Sequence, residues 1–394
     1  MLTIFFICLI LIAYVYAGYP LLLRAGMFGA RCDWKRGAAR LPLITIIVPA
    51  HNEEASIGAK IENLLASDYP RECMDILIGS DGSSDRTEEI VRRYAGECVG
   101  LVSFPQQHGK SAIQNGLVSL ASGEILFFTD ADCAFKPNTL RVLIDNFADA
   151  SVGLVTGRPS FANAAETSVT RNEGIYLRYE TWLRREESAR GLLALASGSL
   201  FAVRRELWQP LDTSMGDDFA LPLRVATKGF RSVLEERAVA ATQLTQNQVD
   251  SMFRMKLRII AKDFRALLAY RELLDPFQHG ALALALWSHK LLRWLIPYFL
   301  IALFSINALL LSSPLLRLFW GLQVAFYALA CCGLYLRGTI RAAIVTVPTS
   351  FCIVNAAALM GTLSCFLGRS FGRWTPERPA SQRASALQSR GART

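Results

Sequence analysis

The chain has 394 residues, 52% of them apolar, and its 42 Lys and Arg against 33 Asp and Glu leave a formal charge of +9. The apolar residues are gathered into blocks, which excludes a wholly soluble protein. The basic residues gather beside those blocks, which sets nucleic acid aside as a partner. Cys8, Cys331, Cys332, Cys352 and Cys365 lie inside apolar blocks, and Cys32, Cys73, Cys98 and Cys133 lack metal-ligand spacing. Neither disulfides nor zinc are expected.

Residues 1–23, MLTIFFICLILIAYVYAGYPLLL, carry no charge and exceed the roughly 20 apolar residues that a bilayer crossing needs. No basic residue precedes Ala13, so the segment reads as an uncleaved transmembrane anchor rather than a signal peptide. Arg24, Arg31, Lys35, Arg36 and Arg40 follow it. By the positive-inside rule they place the next domain in the cytoplasm, on a plasma (inner) membrane.

Between residues 40 and 275 short apolar runs alternate with helix-like segments. LITIIVPA (43–50), MDILIGSDG (74–82) and GEILFFTDAD (123–132) have the form of strands buried on both faces. Helix-like segments cover Glu54–Ala66, Asp85–Tyr94 and Lys110–Leu120. The spacing predicts βαβ units and a mostly parallel sheet, with ligands at the carboxyl ends of the strands. Those ends carry PAHNEE, GSDGSSDRT and FTDADC.

His108-Gly109-Lys110-Ser111 resembles the end of a phosphate-binding P-loop, but the required upstream glycine position is Phe104, so that reading fails on spacing. Asp130-Ala131-Asp132 ends a strand, and two carboxylates one residue apart can both approach a single Mg2+ or Mn2+. Asp81 ends another strand, where a ligand contact and plain turn chemistry are both open; Asp85, with Ser83 or Ser84, is expected to cap the next helix. Gly216-Asp217-Asp218 opens the helix FALPLRVATKGF, so that one acid caps and the other faces a substrate. Arg254, Arg258 and Lys262 fall on one helix face, suited to a diphosphate clamp or to a membrane surface. HKLLRW (289–294) has the cations and tryptophan of a membrane-interface anchor. Leu295–Leu311, Leu318–Leu336 and Ala342–Leu367 are further candidate spans. Four spans would put the C-terminus opposite the soluble domain, yet the tail from Arg369 is basic; a last stretch that dips in and returns at Pro348 would reconcile the two.

PAHNEE, SDGSSDRT, HGKSAIQNG, FTDADC, SGSLFAVRRE and GDDFALPLRVATKGFR, in this order, resemble the motif series of the family-2 glycosyltransferases with the GT-A fold, in the membrane-embedded branch related to cellulose, chitin and hyaluronan synthases. The resemblance covers roughly residues 40–265. It implies an α/β, Rossmann-like GT-A domain at 40–275 between an anchor at 1–23, an interfacial helix at 276–293, a transmembrane bundle at 294–368 and a basic flexible tail at 369–394. It also implies site roles. Pro49, Ala50, Asn52, Glu53 and Asp81 would hold the base and ribose of a nucleotide-sugar, and Gly109 and Lys110 would border that pocket. Asp130 and Asp132 would form the metal-binding pair with Mg2+ or Mn2+, Arg254 and Arg258 would serve the diphosphate, and Ser197, Gly198 and Ser199 would line the acceptor side. Asp218 would be the general base, beside Asp217.

The implied activity is inverting, metal-dependent transfer of a hexose, UDP-linked by expectation, to a saccharide or lipid-linked acceptor in exopolysaccharide or glycolipid synthesis, with partner subunits of an assembly system as possible company. A non-catalytic scaffold or export subunit is the alternative. Processive relatives carry Gln/Arg-x-x-Arg-Trp after the base. Here Arg258 precedes Ile259, and Gln246 and Gln248 are out of register, which leaves single transfer as open as polymerisation.

Overall fold

The apolar runs become strands because each is bounded by residues that break or cap a strand. The computed structural model describes residues 1–37, 40–96, 98–161, 168–242, 249–336 and 342–368; the tail at 369–394, Gln246 and Gln248 lie outside the described residues. In chain order the elements are α1 (Leu2–Arg24), β1 (Ile44–Ala50), α2 (Ile57–Leu65), β2 (Met74–Asp81), α3 (Thr87–Arg92), β3 (Val99–Phe104), α4 (Lys110–Val118), β4 (Ile125–Thr129) and α5 (Thr139–Ile144). They continue with β5 (Val152–Phe161), α6 (Ser168–Ser188), β6 (Leu200–Arg204), α7 (Asp217–Thr227), β7 (Arg231–Thr242), α8 (Val249–Ala269), α9 (Pro276–Leu309), α10 (Pro314–Tyr335) and α11 (Ala343–Phe366).

The strands form one seven-stranded sheet in the order β3-β2-β1-β4-β6-β5-β7. β1 runs parallel to β2 and β4, β2 to β3, and β5 to β7, while β6 is antiparallel to both neighbours. The sheet is therefore mostly parallel, as the βαβ spacing predicts. The chain turns outward in opposite directions from β1 and β4, and that switch point opens a crevice at their carboxyl ends. Side chains of β1 alternate between two cores. Ile46 and Val48 join Ile57, Ile61 and Leu64 of α2 on one face. Ile47 joins Ile113 and Leu117 of α4 on the other, where Phe128 stacks on Phe201 with centroids 4.8 Å apart.

Among the described residues, four helices are long and apolar enough to cross a membrane. α9 comprises two helical pieces that meet at Gly280 (φ 51°); the second, residues 281–309, is about 43 Å long at 1.5 Å per residue, against a hydrocarbon layer of about 30 Å. The stretch expected as a separate interfacial helix thus runs on past Gly280 into the candidate span behind it. The expectation of a returning last stretch is corrected: α11 continues through Pro348 as one helix of 24 residues. Its last turn packs on α8, where the Cys365 thiol donates to the Ala261 carbonyl (3.0 Å) and Phe366 meets Phe264 edge-on at 5.7 Å. Its first turns meet α10 through Val345 and Thr349, which crowd Gly333. α10 begins beside α1, with Phe319 5.8 Å from Phe5.

Gly79 of β2 is where α4 rests on the sheet: a Cβ there would lie 2.4 Å from Ile113 Cγ2 and 3.0 Å from Leu117 Cδ1. Gly79→Ala should cost about 1–3 kcal/mol through overpacking. The check is the thermal midpoint in detergent, and an unchanged midpoint would contradict this packing.

Candidate active site

The crevice is built from the chain immediately after each strand. After β1, Asn52 adopts φ 56°, a left-handed conformation that asparagine tolerates. Its N–H donates to Ser83 Oγ (3.0 Å) and its Oδ1 accepts from the Ser84 N–H (2.8 Å), which closes the β1 and β2 loops onto each other. The Glu53 N–H donates to Thr87 Oγ1 (2.7 Å). Asp85 accepts from the N–H of Thr87 (3.0 Å), so it serves the start of α3 as expected. Pro49 and Ala50 are buried at the end of β1, paired with Gly79 and Ser80. Asp81 is 2% exposed, and its two carboxylate oxygens accept from the backbone N–H groups of His108 (2.6 Å) and Gly109 (2.9 Å), so it pins the loop that leads into α4.

That loop delivers Lys110 to the centre of the crevice. Gly109 (φ 94°) makes the turn into α4 in a region that only glycine enters freely. Lys110 Nζ then lies 2.9 Å from Asp130 Oδ1 and 3.4 Å from Asp217 Oδ2, and donates to the Gly198 carbonyl (3.1 Å). Burial alone would lower the ammonium pKa, but Asp130 and Asp217 hold it above the ordinary lysine range. Strand β4, the loop 197–199 and the start of α7 thus share one cation. Beside it, Ser197 Oγ and Ser199 Oγ are 3.0 Å apart.

The adjacent acids of α7 have different surroundings. Asp217 is buried, accepts from Gln114 Nε2 (2.8 Å), and is held below the ordinary carboxylate range by Lys110 and Gln114 against the upward push of burial. Asp218 is partly exposed and has no such partner. Burial, then the charge of Asp217, push it up to about 6. A third acid, Asp263 on α8, stands behind it: a Cβ on Gly216 would lie 2.8 Å from Asp263 Oδ1 and 3.1 Å from Asp218 Oδ1. Burial and the neighbouring Asp218 push Asp263 well above the carboxylate range. Two environments that drive neighbouring carboxyls apart in pKa are what acid–base chemistry requires.

Asp130 and Asp132 sit at the mouth of the crevice, with Asp132 exposed. Its carboxyl is pushed up to about 6, first by the protein packed around it and then by the charge of Asp130. A divalent cation would relieve that repulsion, and two carboxylates with open space beside them suit Mg2+ or Mn2+ that keeps other ligands from water or phosphate. Among the described residues no group of three His, Cys, Asp or Glu is arranged for a metal; the Asp130–Asp132 pair offers two carboxylates. On α8, Lys262 lies near the acids and reaches the Thr213 carbonyl (3.4 Å). Arg258 is the next turn away and half-buried, and Arg254 is exposed one turn further on. A separate cleft of ≈ 870 Å³ lined by Lys35, Arg36, Arg40 and Glu124 lies at the opposite, amino ends of the strands.

HKLLRW departs from its expected place at a lipid interface. His289 is 4% exposed, with Nδ1 2.7 Å from Glu187 and Nε2 3.1 Å from Glu180. Arg293 donates to Glu180 (3.0 Å), and Tyr19 of α1 donates to Glu187 (2.7 Å). Burial would raise Glu180, but His289 and Lys290 hold it well below the carboxylate range. This cluster ties α1 and α9 to α6. The sequence reading missed it, along with Asp263, Gln114 and Lys60. Gln114 carried a signal, standing one helical turn after Lys110.

Three comparisons bear on this crevice. Residues 45–210 match the family profile described as Glycosyl transferase family 2. A probable glycosyltransferase YdaM of Bacillus subtilis is 28% identical over 247 residues, 58% of this chain and 58% of that protein. A beta-monoglucosyldiacylglycerol synthase of Trichormus variabilis is 32% identical over 196 residues, 47% of this chain and 41% of that protein. The chain thus spans about half the length of the curated relatives it matches. Among solved structures, the mannosyltransferase PcManGT of Pyrobaculum calidifontis, in complex with GDP-Man and Mn2+, superposes with a TM-score of 0.69 at 22% identity, over 93% of this chain and 100% of that one. The shared architecture is the GT-A fold.

Removing Glu180 would leave His289, Lys290 and Arg293 without their shared acid. Glu180→Ala should destabilise the protein by about 3–5 kcal/mol, read as a fall of the thermal midpoint in detergent. A midpoint within a degree of the parent would show that the cluster does not hold α9 to α6.

Proposed function

We propose, from the match of residues 45–210 to the profile of glycosyl transferase family 2, that the chain transfers a sugar, with inversion, from a nucleotide-sugar (UDP-linked by expectation) to a lipid-linked or short saccharide acceptor. The observation that carries this is the convergence of Lys110, Asp130, Asp217 and Asp218 on the Gly198 carbonyl region at the switch point of the sheet. Asp218 is the general base. It is the acid left without a locking partner, and its raised pKa of about 6 lies near the pH at which a base accepts a proton effectively. It removes the acceptor hydroxyl proton as that oxygen attacks the anomeric carbon from the face opposite the leaving group. Asp217 holds Lys110 in place, and Lys110 offers a positive charge toward the donor phosphates. Asp130 and Asp132 would hold a divalent cation, which when bound neutralises the departing diphosphate. Lys262 and Arg258 add positive charge from α8, while exposed Arg254 stands further off.

The acceptor side is read as lipid-facing because α8, which closes the crevice, packs directly on the apolar α11. The glycolipid product named for the Trichormus relative supports that choice. An exopolysaccharide role, partner subunits, and a catalytic domain on the cytoplasmic side of an inner membrane complete the proposal.

The test is nucleoside diphosphate release from a panel of UDP-, GDP- and dTDP-sugars by the full chain in nanodiscs, with and without membrane lipid. One donor should be turned over, and EDTA should stop it. Asp218→Asn should lower the rate by about 100- to 10,000-fold and Asp132→Asn should abolish the response to metal, both without loss of folding. Full activity in both variants would overturn the assignment. Because the base works deprotonated, the rate should hold above pH 6 and fall about tenfold per unit below it. A flat profile down to pH 4 would exclude Asp218 as the base.

A further inference from the structure

Lys60 falls on the apolar stripe of α2 with Ile57, Ile61 and Leu64, and is 2% exposed. A lysine so deeply buried is nearly always paired with an acid. Lys60 makes no ion pair with any of the described residues. Its ammonium instead donates to Thr129 Oγ1 (2.8 Å) and the Cys133 carbonyl (2.9 Å), approaches Cys133 Sγ (3.4 Å), and lies 4.2 Å from the centre of the Phe135 ring. Its hydrogen-bond acceptors all belong to the end of β4 and to the turn that carries Asp130 and Asp132.

The donor count fixes the next link. An ammonium can only donate, so Thr129 Oγ1 accepts from Lys60 and its own single hydrogen must go elsewhere. Within reach are the Ser199 carbonyl (3.0 Å), Cys133 Sγ (3.0 Å) and the Asp130 carbonyl (3.5 Å). A carbonyl oxygen accepts better than sulfur, and 3.0 Å is better than 3.5 Å, so the hydrogen points to Ser199. The Cys133 thiol is then left to the carbonyls of Asp130 (3.3 Å) and Ser199 (3.4 Å). The loop 197–199 is therefore tied twice, by Lys110 at the Gly198 carbonyl and by the Lys60–Thr129 chain at the Ser199 carbonyl.

We propose that Lys60 is a positioning residue: from beneath, it holds the Asp130–Asp132 turn in its cation-binding form and couples that turn, through the Thr129 hydroxyl, to the loop 197–199. The proposal rests on the reading of Asp130 and Asp132 as cation ligands. Lys60 touches no substrate; it acts through Thr129 and the Cys133 carbonyl.

The test is Mn2+ binding alone, followed by electron paramagnetic resonance on the full chain in nanodiscs, for the parent, Lys60→Met, Thr129→Val and the double variant. Lys60→Met should weaken Mn2+ about tenfold and Thr129→Val should weaken it by a smaller factor. The double variant should bind no worse than Lys60→Met, because the two act in one chain. Unchanged affinity in both single variants, additive losses, or tighter binding in Lys60→Met would each overturn the proposal; the last would make Lys60 merely an opposing charge. Should Lys60→Met not fold, Thr129→Val decides by the same reading. A parent that binds no Mn2+ would instead refute the cation site itself.

Discussion

Everything at the crevice depends on where one ammonium group sits. Lys110 comes from α4, Asp130 from the end of β4, Asp217 from the start of α7, and the Gly198 carbonyl from the loop before β6. Without a cation between them, two carboxylates and a carbonyl oxygen would repel one another in a poorly solvated space. With it, three separate pieces of chain converge. The placement is itself derived: Asp81 fixes the loop amides of His108 and Gly109, and those amides set the first turn of α4. A strand-end carboxylate thus governs where that ammonium stands.

The same logic separates Asp217 from Asp218. They are neighbours on one helix turn, yet one is locked by Lys110 and Gln114 while the other faces open space and the buried Asp263. Gly216 lets Asp263 of α8 come close to the two acids at the start of α7, since a side chain there would collide with Asp263 and crowd Asp218. Sequence order provides the pair; the packing of α8 against α7 gives each member its own character.

The alternation of β-branched runs with helical segments was readable because parallel strands are buried on both faces and carry their own apolar signature. The Asp130–Asp132 pair was readable for the same reason, since the run before it forces it to the rim. Asp81 was readable as a strand-end acid but not as the acceptor that pins the next loop, because its donors are backbone amides 27 and 28 positions away. HKLLRW looked interfacial because cations and tryptophan beside an apolar run usually are; Glu180, over a hundred residues earlier in the chain, could not be matched to His289 before the fold was known. Lys60 did leave a trace, as the one charged residue on an otherwise apolar stripe.

The direction of α11 decides where the basic C-terminal sequence is attached. α1 runs from Phe5, beside Leu303 and Phe319, to Tyr19, beside Glu187, and α9 runs back from His289 toward Leu303. α11 returns, its start among residues of α10 and its end on α8. α10 begins beside Phe5 of α1, and its Gly333 meets the first turns of α11. The described chain leaves α11 at Leu367, next to the turn that packs on α8. The basic sequence from Arg369 onward is therefore attached at the end of α11 that touches the helix closing the crevice, and not at the end beside α10.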